Sequence, residues 1–129
     1  MILTIRTDKP ESELGLYDNQ SEIAYEKWQA HRQLAETIHK KIAELFDARG
    51  LTLSDITGIV IYQGPGSFTG LRIGMSVANA LAYSLGVPIA ATTGDEWIRS
   101  GVESLKINPN KTSVLPEYGA VANTTTPRK

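Results

Sequence analysis

The chain contains no cysteine, which excludes disulfides, thiol nucleophiles and cysteine-ligated metals and fits a reducing compartment. Histidine occurs only twice, at 31 and 39. On a helix that separation sets the two about 80° apart and two turns along, so they do not form the adjacent pair of a His-Glu-x-x-His zinc site. Metal centres need three or four converging ligands, and both histidines read as surface residues. No apolar run approaches the roughly 18 to 20 residues that span a bilayer. The opening Met1-Ile-Leu-Thr-Ile5 enters a strand pattern directly, without a basic region and a long apolar stretch behind it. Charge of neither sign is concentrated: the formal net charge is -1, with no dense Lys/Arg stripe. Autonomous nucleic-acid binding therefore lacks its electrostatic footprint, and any link to RNA must run through a partner. These absences predict a cytoplasmic protein with no membrane contact.

What is present suits one domain. The 129 residues, 41% hydrophobic and 21% charged, allow a single core but not two lobes closing on a substrate. Ile2, Leu3 and Ile5 form a short apolar strand. Leu14 and Leu16, then Ile23 and Tyr25, alternate with polar residues on either side of Asp18-Asn19-Gln20-Ser21, the signature of an antiparallel hairpin. From His31 to Arg49 the period changes. Leu34, Ile38, Ile42, Leu45 and Phe46 make one apolar helical stripe, with Gly50 as its stop. Leu51 to Thr57 reads as a turn with Ser54 as a cap, and Gly58-Ile-Val-Ile-Tyr62 as a buried strand. Gly70 to Leu85 is a second helix closed by Gly86, followed by the strand Val87-Pro-Ile-Ala-Ala91 and a short helix from Asp95. Beyond about Gly101 the pattern dissolves, so residues 101–129 are expected to be a partly extended tail or linker. This order predicts an α/β fold, a mixed sheet flanked by helices.

The segment Gly64-Pro-Gly-Ser-Phe-Thr-Gly-Leu-Arg-Ile-Gly74 joins a buried strand to a helix, where backbone amides and the positive helix end can hold an anion. The specific phosphate fingerprints are missing. A Walker A loop ends in Gly-Lys-Ser/Thr, and here Gly70-Leu71-Arg72 stands; Rossmann spacing requires glycine where Thr69 lies. The structural turn is the preferred reading, since caps are far commoner than anion cradles: Gly64, Gly66 and Gly70 supply unusual backbone, Pro65 stiffness, and Thr69 or Ser67 the helix cap. The second helix is rich in small residues (Gly70, Gly74, Ser76, Ala78, Ala80, Ala82, Ser84), which let another backbone approach, either the chain's own sheet or a helix of another chain. Asp8 and Asp55 read as solvated turn residues. No serine lies in a Gly-x-Ser-x-Gly elbow, and Trp28 and Trp97 read as packing residues.

This segment, following Ile59-Val-Ile-Tyr-Gln63, closely resembles the signature of the TsaB (YeaZ) family, relatives of the TsaD actin-like ATPases. The resemblance covers most of residues 1–100. It implies a single actin-like, ribonuclease H-like lobe over 1–100, and a non-catalytic scaffold for threonylcarbamoylation (t6A) of adenosine 37 in tRNAs reading codons that begin with A. The signature loop would comprise Gly64, Pro65, Gly66, Ser67, Phe68, Thr69, Gly70, Leu71, Arg72 and Gly74. The implied partner is a TsaD-like ATPase that carries the ATP and magnesium, with a TsaE-like ATPase in the same assembly and a homodimer when the chain is alone. The implied interface comprises His31, Leu34, Ile38, Ile42 and Leu45 of the first helix, with Arg72, Met75, Asn79 and Tyr83 of the second. Two departures stand out. Arg6 replaces the aspartate that actin-like ATPases place near magnesium phosphate. The family also carries a second, similar lobe, whereas here Val114 to Ala120 and Asn123 to Lys129 resemble the family's extreme C-terminus. A small phosphate- or nucleotide-binding enzyme using residues 64–74, or a purely self-associating domain, are the competing readings.

Overall fold

Three strands, β1 (Ile2–Arg6), β2 (Glu11–Asp18) and β3 (Ser21–Gln29), form an antiparallel meander in the computed structural model, which describes residues 1–115. The tight β2–β3 turn puts Asn19 at φ 58°, a left-handed conformation that asparagine tolerates better than most residues. β1 also pairs in parallel with β4 (Gly58–Tyr62), and β4 with β5 (Ile89–Thr92), giving the order β3-β2-β1-β4-β5. The mixed α/β sheet is the one the sequence predicts.

Two helices, α1 (Leu34–Asp47) and α2 (Phe68–Leu85), lie on one face. Their apolar residues meet Leu3, Ile5, Leu14, Leu16, Ile59, Ile61 and Ile89 in one core. α1 is shorter than the His31–Arg49 pattern: residues 31–33 form a single 3-10 turn, with His31 at φ 48°. The turn before β4 is capped by Thr52, not Ser54; the Thr52 amide donates to Asp55 Oδ2 at 2.8 Å in a capping box. α2 starts two residues earlier than Gly70 because Ser67 is its N-cap, and it ends at Gly86 in the left-handed conformation, φ 68°.

The other face of β4 and β5 is covered by α3 (Trp97–Ile107), through Val60, Tyr62, Ala90, Trp97, Val102 and Leu105. This corrects the expectation that regular structure fades at Gly101. Gly101 is in mid-helix because a Cβ there would run into the Val60 side chain, so the glycine is a close-packing position. Val114 is also buried in the main core. The remainder of the expected tail, including residues 116–120 and 123–129, lies outside the described residues.

Candidate functional site

The Gly64–Gly74 segment is built around the end of β1. The Ser67 amide donates to the Asp8 carbonyl at 3.0 Å, and Thr7 Oγ1 donates to the Gly70 carbonyl at 2.8 Å. A Cβ at Gly66 would overlap Asp8, one at Gly70 the Thr7 carbonyl oxygen, and one at Gly74 the Thr7 hydroxyl. The glycines therefore let the start of α2 sit directly on the backbone of residues 7–8. Ser67 Oγ accepts from the Gly70 amide at 3.4 Å, so Ser67, not Thr69, is the cap.

At the C-terminal end of β1, next to β4, Arg6 grips Asp8 with both ends of its guanidinium, Nε to Oδ1 at 2.8 Å and Nη2 to Oδ2 at 3.2 Å. Its Cζ lies 3.9 Å from the centre of the Tyr62 ring, within cation–π range. Asp8 is buried, which corrects its reading as a solvated turn residue: a carboxylate here tolerates burial because a bidentate partner neutralises it. Partial burial works against the Arg6 charge, but the hydrogen bond and field of Asp8 outweigh it and hold its pKa above the ordinary value. These residues do not fit magnesium phosphate. A cation occupies the position of the expected aspartate, and the nearby carboxylate is committed to it. Among the described residues no group of three or more His, Cys, Asp or Glu could hold a metal ion.

On the same face, Glu13 stands opposite Arg6 in the β1–β2 register and accepts a hydrogen bond from the Tyr25 hydroxyl. Tyr17 donates to Glu22 at 3.3 Å. Burial first, then the neighbouring carboxylate, pushes the Tyr17 phenol up to about 12 and the Tyr25 phenol higher still. A tyrosine that keeps its proton longer in the folded state contributes stability that is complete below the unfolded pKa of about 10 and is lost as pH rises through the folded value. Stability is therefore expected to fall from about pH 10 upward. Unfolding measured at stepped pH should show a shallower alkaline slope for Tyr17→Phe, whereas an unchanged slope would assign the loss to other groups.

The carried-over interface residues separate into two groups. Leu34, Ile38, Ile42, Leu45 and Met75 are in the chain's own core, each 3% exposed or less. As corrections, these five hold α1 and α2 to the sheet and cannot meet a partner. Asn79 is committed too: its Nδ2 donates to the Val114 carbonyl and its Oδ1 accepts from the Val114 amide, both at 3.0 Å. His31, Arg72 and Tyr83 are exposed. Between α1 and α2 runs a groove of about 440 Å³ lined by Ala35, His39, Phe68, Arg72, Ile73 and Ser76, among others. Phe68 is 52% exposed and Tyr83, farther along α2, 85%. The family resemblance assigned the apolar stripe of α1 to an interface, and periodicity could not decide otherwise, because it marks a face that is covered without saying what covers it.

A five-stranded mixed sheet with α1 and α2 on one face and α3 on the other defines an actin-like, ribonuclease H-like lobe. Residues 27–93, over half of the chain, match the family model described as TsaD: tRNA N6-adenosine threonylcarbamoyltransferase. The chain belongs to this family, and the TsaB (YeaZ) resemblance read from residues 64–74 is met by its relatives. One is the tRNA threonylcarbamoyladenosine biosynthesis protein TsaB of Bacillus subtilis (strain 168), 50% identical over 44 residues, which are 34% of this chain and 19% of that protein. Another is the tRNA N6-adenosine threonylcarbamoyltransferase of Geotalea uraniireducens (strain Rf4), 49% identical over 61 residues, 47% of this chain and 18% of that one. The solved YeaZ from Pseudomonas aeruginosa superposes with a TM-score of 0.66 at 27% identity, covering 71% of this chain and 43% of that one. The chain spans less than half the length of each of these relatives. No helix among the described residues is long and apolar enough to cross a membrane.

Proposed function

We propose that the chain is a non-catalytic docking subunit in tRNA threonylcarbamoyladenosine biosynthesis, binding a TsaD-like ATPase through the face where α1 and α2 meet. ATP and magnesium are bound by that partner, tRNA is reached only through the complex, and the same face pairs with a second copy when the partner is absent. The observation that carries this reading is the α1–α2 groove. It lies within the family-matched residues 27–93, exposes Phe68 beside Arg72, whose Cζ is 5.4 Å from the Phe68 ring centre, and contains no carboxylate among its lining residues. Arg72, Ser76 and Tyr83 share one stripe of α2 by their spacing. Aromatic and arginine side chains are the usual anchors of protein interfaces. The Arg6–Asp8 pair further supports a role without phosphate chemistry at the strand ends.

The test is binding of the purified chain to a TsaD-like protein, followed by light scattering and calorimetry. Tyr83→Ala is expected to weaken binding about thirtyfold, the effect of removing an interface anchor worth about 2 kcal/mol. It should leave the unfolding midpoint unchanged, as exposed positions contribute within about 0.5 kcal/mol. Absence of any complex with the unaltered chain would rule the reading out. A dimer that persists unchanged when the TsaD-like protein is added would instead point to a purely self-associating domain.

A further inference from the structure

The segment that follows α3 crosses from one face of the sheet to the other. α3 covers one face of β4 and β5, yet Val114 is buried in the core on the opposite face, with α1 and α2. Between the two the chain passes the outer edge of β5, the last strand of the sheet. There the outward-facing amide of Ile89 donates to the Lys111 carbonyl at 2.9 Å, as it would to one more parallel strand. The Asn79 side chain of α2 then takes both backbone groups of Val114, at 3.0 Å each, and Gln63 Nε2 donates to the Leu115 carbonyl at 2.9 Å.

The way this segment is held defines what its slot recognises. Each of these bonds reaches a backbone atom of Lys111, Val114 or Leu115, so none depends on the side chains those residues carry. Among residues 108–115 only Val114 is buried. Backbone pairing at a sheet edge with one apolar anchor is how sheets accept extended peptides: the main chain gives affinity and the buried side chain gives selectivity. A helical ligand is disfavoured, because its own turns already use the amides and carbonyls that Asn79, Gln63 and Ile89 need to meet. With a single buried side chain, residues 108–115 belong to the low-stability end of the fold, where segments open without global unfolding.

We propose that this slot is a strand-addition site for an extended segment of a partner chain with a valine or isoleucine at the anchor position, and that residues 111–115 fill it in the free protein as a releasable strap. The partner segment replaces the strap bond for bond. Its backbone meets Asn79, Gln63 and the Ile89 amide, and its apolar side chain takes the place of Val114. The strap sets a threshold, because the partner competes with a segment tethered beside the slot. The site is separate from the docking reading, which uses the α1–α2 groove and Tyr83; either can fail while the other stands.

The experiment has two parts, both on the full chain. Amide hydrogen exchange of the unaltered protein should show the Val114 and Ile89 amides exchanging together, about a hundredfold faster than Ile61 in β4, as a strap that opens as a unit requires. Exchange of both as slow as Ile61 would mean that the strap leaves only on unfolding, and would overturn the proposal whatever the variants do. In the second part Val114→Asp empties the slot, and a capped synthetic peptide of residues 108–115 is titrated in while the Asn79 and Gln63 side-chain amides and the Ile89 amide are followed. Saturable shifts are expected, with affinity about tenfold or more above that for the unaltered chain, whose own strap competes. The same peptide with aspartate in place of its valine should not bind. Adding Asn79→Ala to the Val114→Asp chain should weaken binding about tenfold, through the loss of two backbone hydrogen bonds. No saturable shift, or an affinity indifferent to Asn79→Ala, would overturn the proposal. A dimer of the unaltered chain that is lost in Val114→Asp but kept in Tyr83→Ala would give the slot to the strap of a second copy and overturn its assignment to a separate partner.

Discussion

Phe46→Ala is expected to cost about 4 kcal/mol of folding stability, within the range for emptying a buried aromatic site. Phe46 is 1% exposed and belongs to the core in which Leu34, Ile38, Ile42 and Leu45 join α1 to the sheet. The cavity would open between α1 and strands that the rest of the fold holds in place, so little collapse is available to offset it. Small domains have a total stability of about 5–15 kcal/mol, and thermal unfolding followed by circular dichroism should show a midpoint lowered by roughly 15 °C. The measurement also separates the two readings of the α1 stripe. If α1 turned these side chains towards a partner, Phe46→Ala would weaken the complex and leave the isolated chain's midpoint nearly unchanged. A loss below about 1 kcal/mol, less than the range for such truncations, would contradict the packing described here.

The contrast with Tyr83 shows what periodicity can reveal. Spacings of four, four and three along Leu34, Ile38, Ile42 and Leu45 gave the helix and its covered side correctly, because a stripe of that width is the chemical requirement for packing on any apolar surface. Whether that surface belongs to the same chain depends on the sheet, whose register is long-range. The β2–β3 hairpin, the buried β4 and the stop at Gly86 were legible for a related reason: each rests on local rules of alternation, continuous apolarity and left-handed backbone. Asp8 was not. Its burial follows from pairing with Arg6 and from the approach of Gly66 across the turn, contacts that no local pattern encodes. Tyr25 and Glu13 meet only once β2 and β3 pair. The length of α3 was concealed by Gly101, which looks like a helix end. Trp97, Gly101, Val102 and Leu105 recur at helical spacing and are all buried, so testing the glycine as a contact position would have extended the helix.

Gly70→Ala is expected to lower stability by about 3 kcal/mol, the upper part of the range for overpacking. The sign of this effect is informative, because helix propensity alone predicts the opposite: replacing an internal helical glycine by alanine gains up to about 1 kcal/mol. Packing outweighs propensity because the new Cβ would meet the Thr7 carbonyl oxygen. That atom belongs to backbone leaving β1, and it cannot rotate away as the end of a flexible side chain could. Gly74→Ala should cost less, since the obstruction is the Thr7 side chain, although the Thr7 hydroxyl is anchored to the Gly70 carbonyl at 2.8 Å. Gly86→Ala meets no neighbouring atom but must hold φ at 68°, a left-handed backbone costing about 1 kcal/mol for a residue with a side chain. Urea unfolding of the three variants should therefore rank Gly70 above Gly74 and Gly86. Ser76→Ala, on the exposed side of α2, should remain within about 0.5 kcal/mol of the parent. A stabilised Gly70→Ala would mean that the start of α2 stands away from β1. In that case residues 64–74 would need a ligand, not a close backbone contact, to explain why three glycines fall four residues apart.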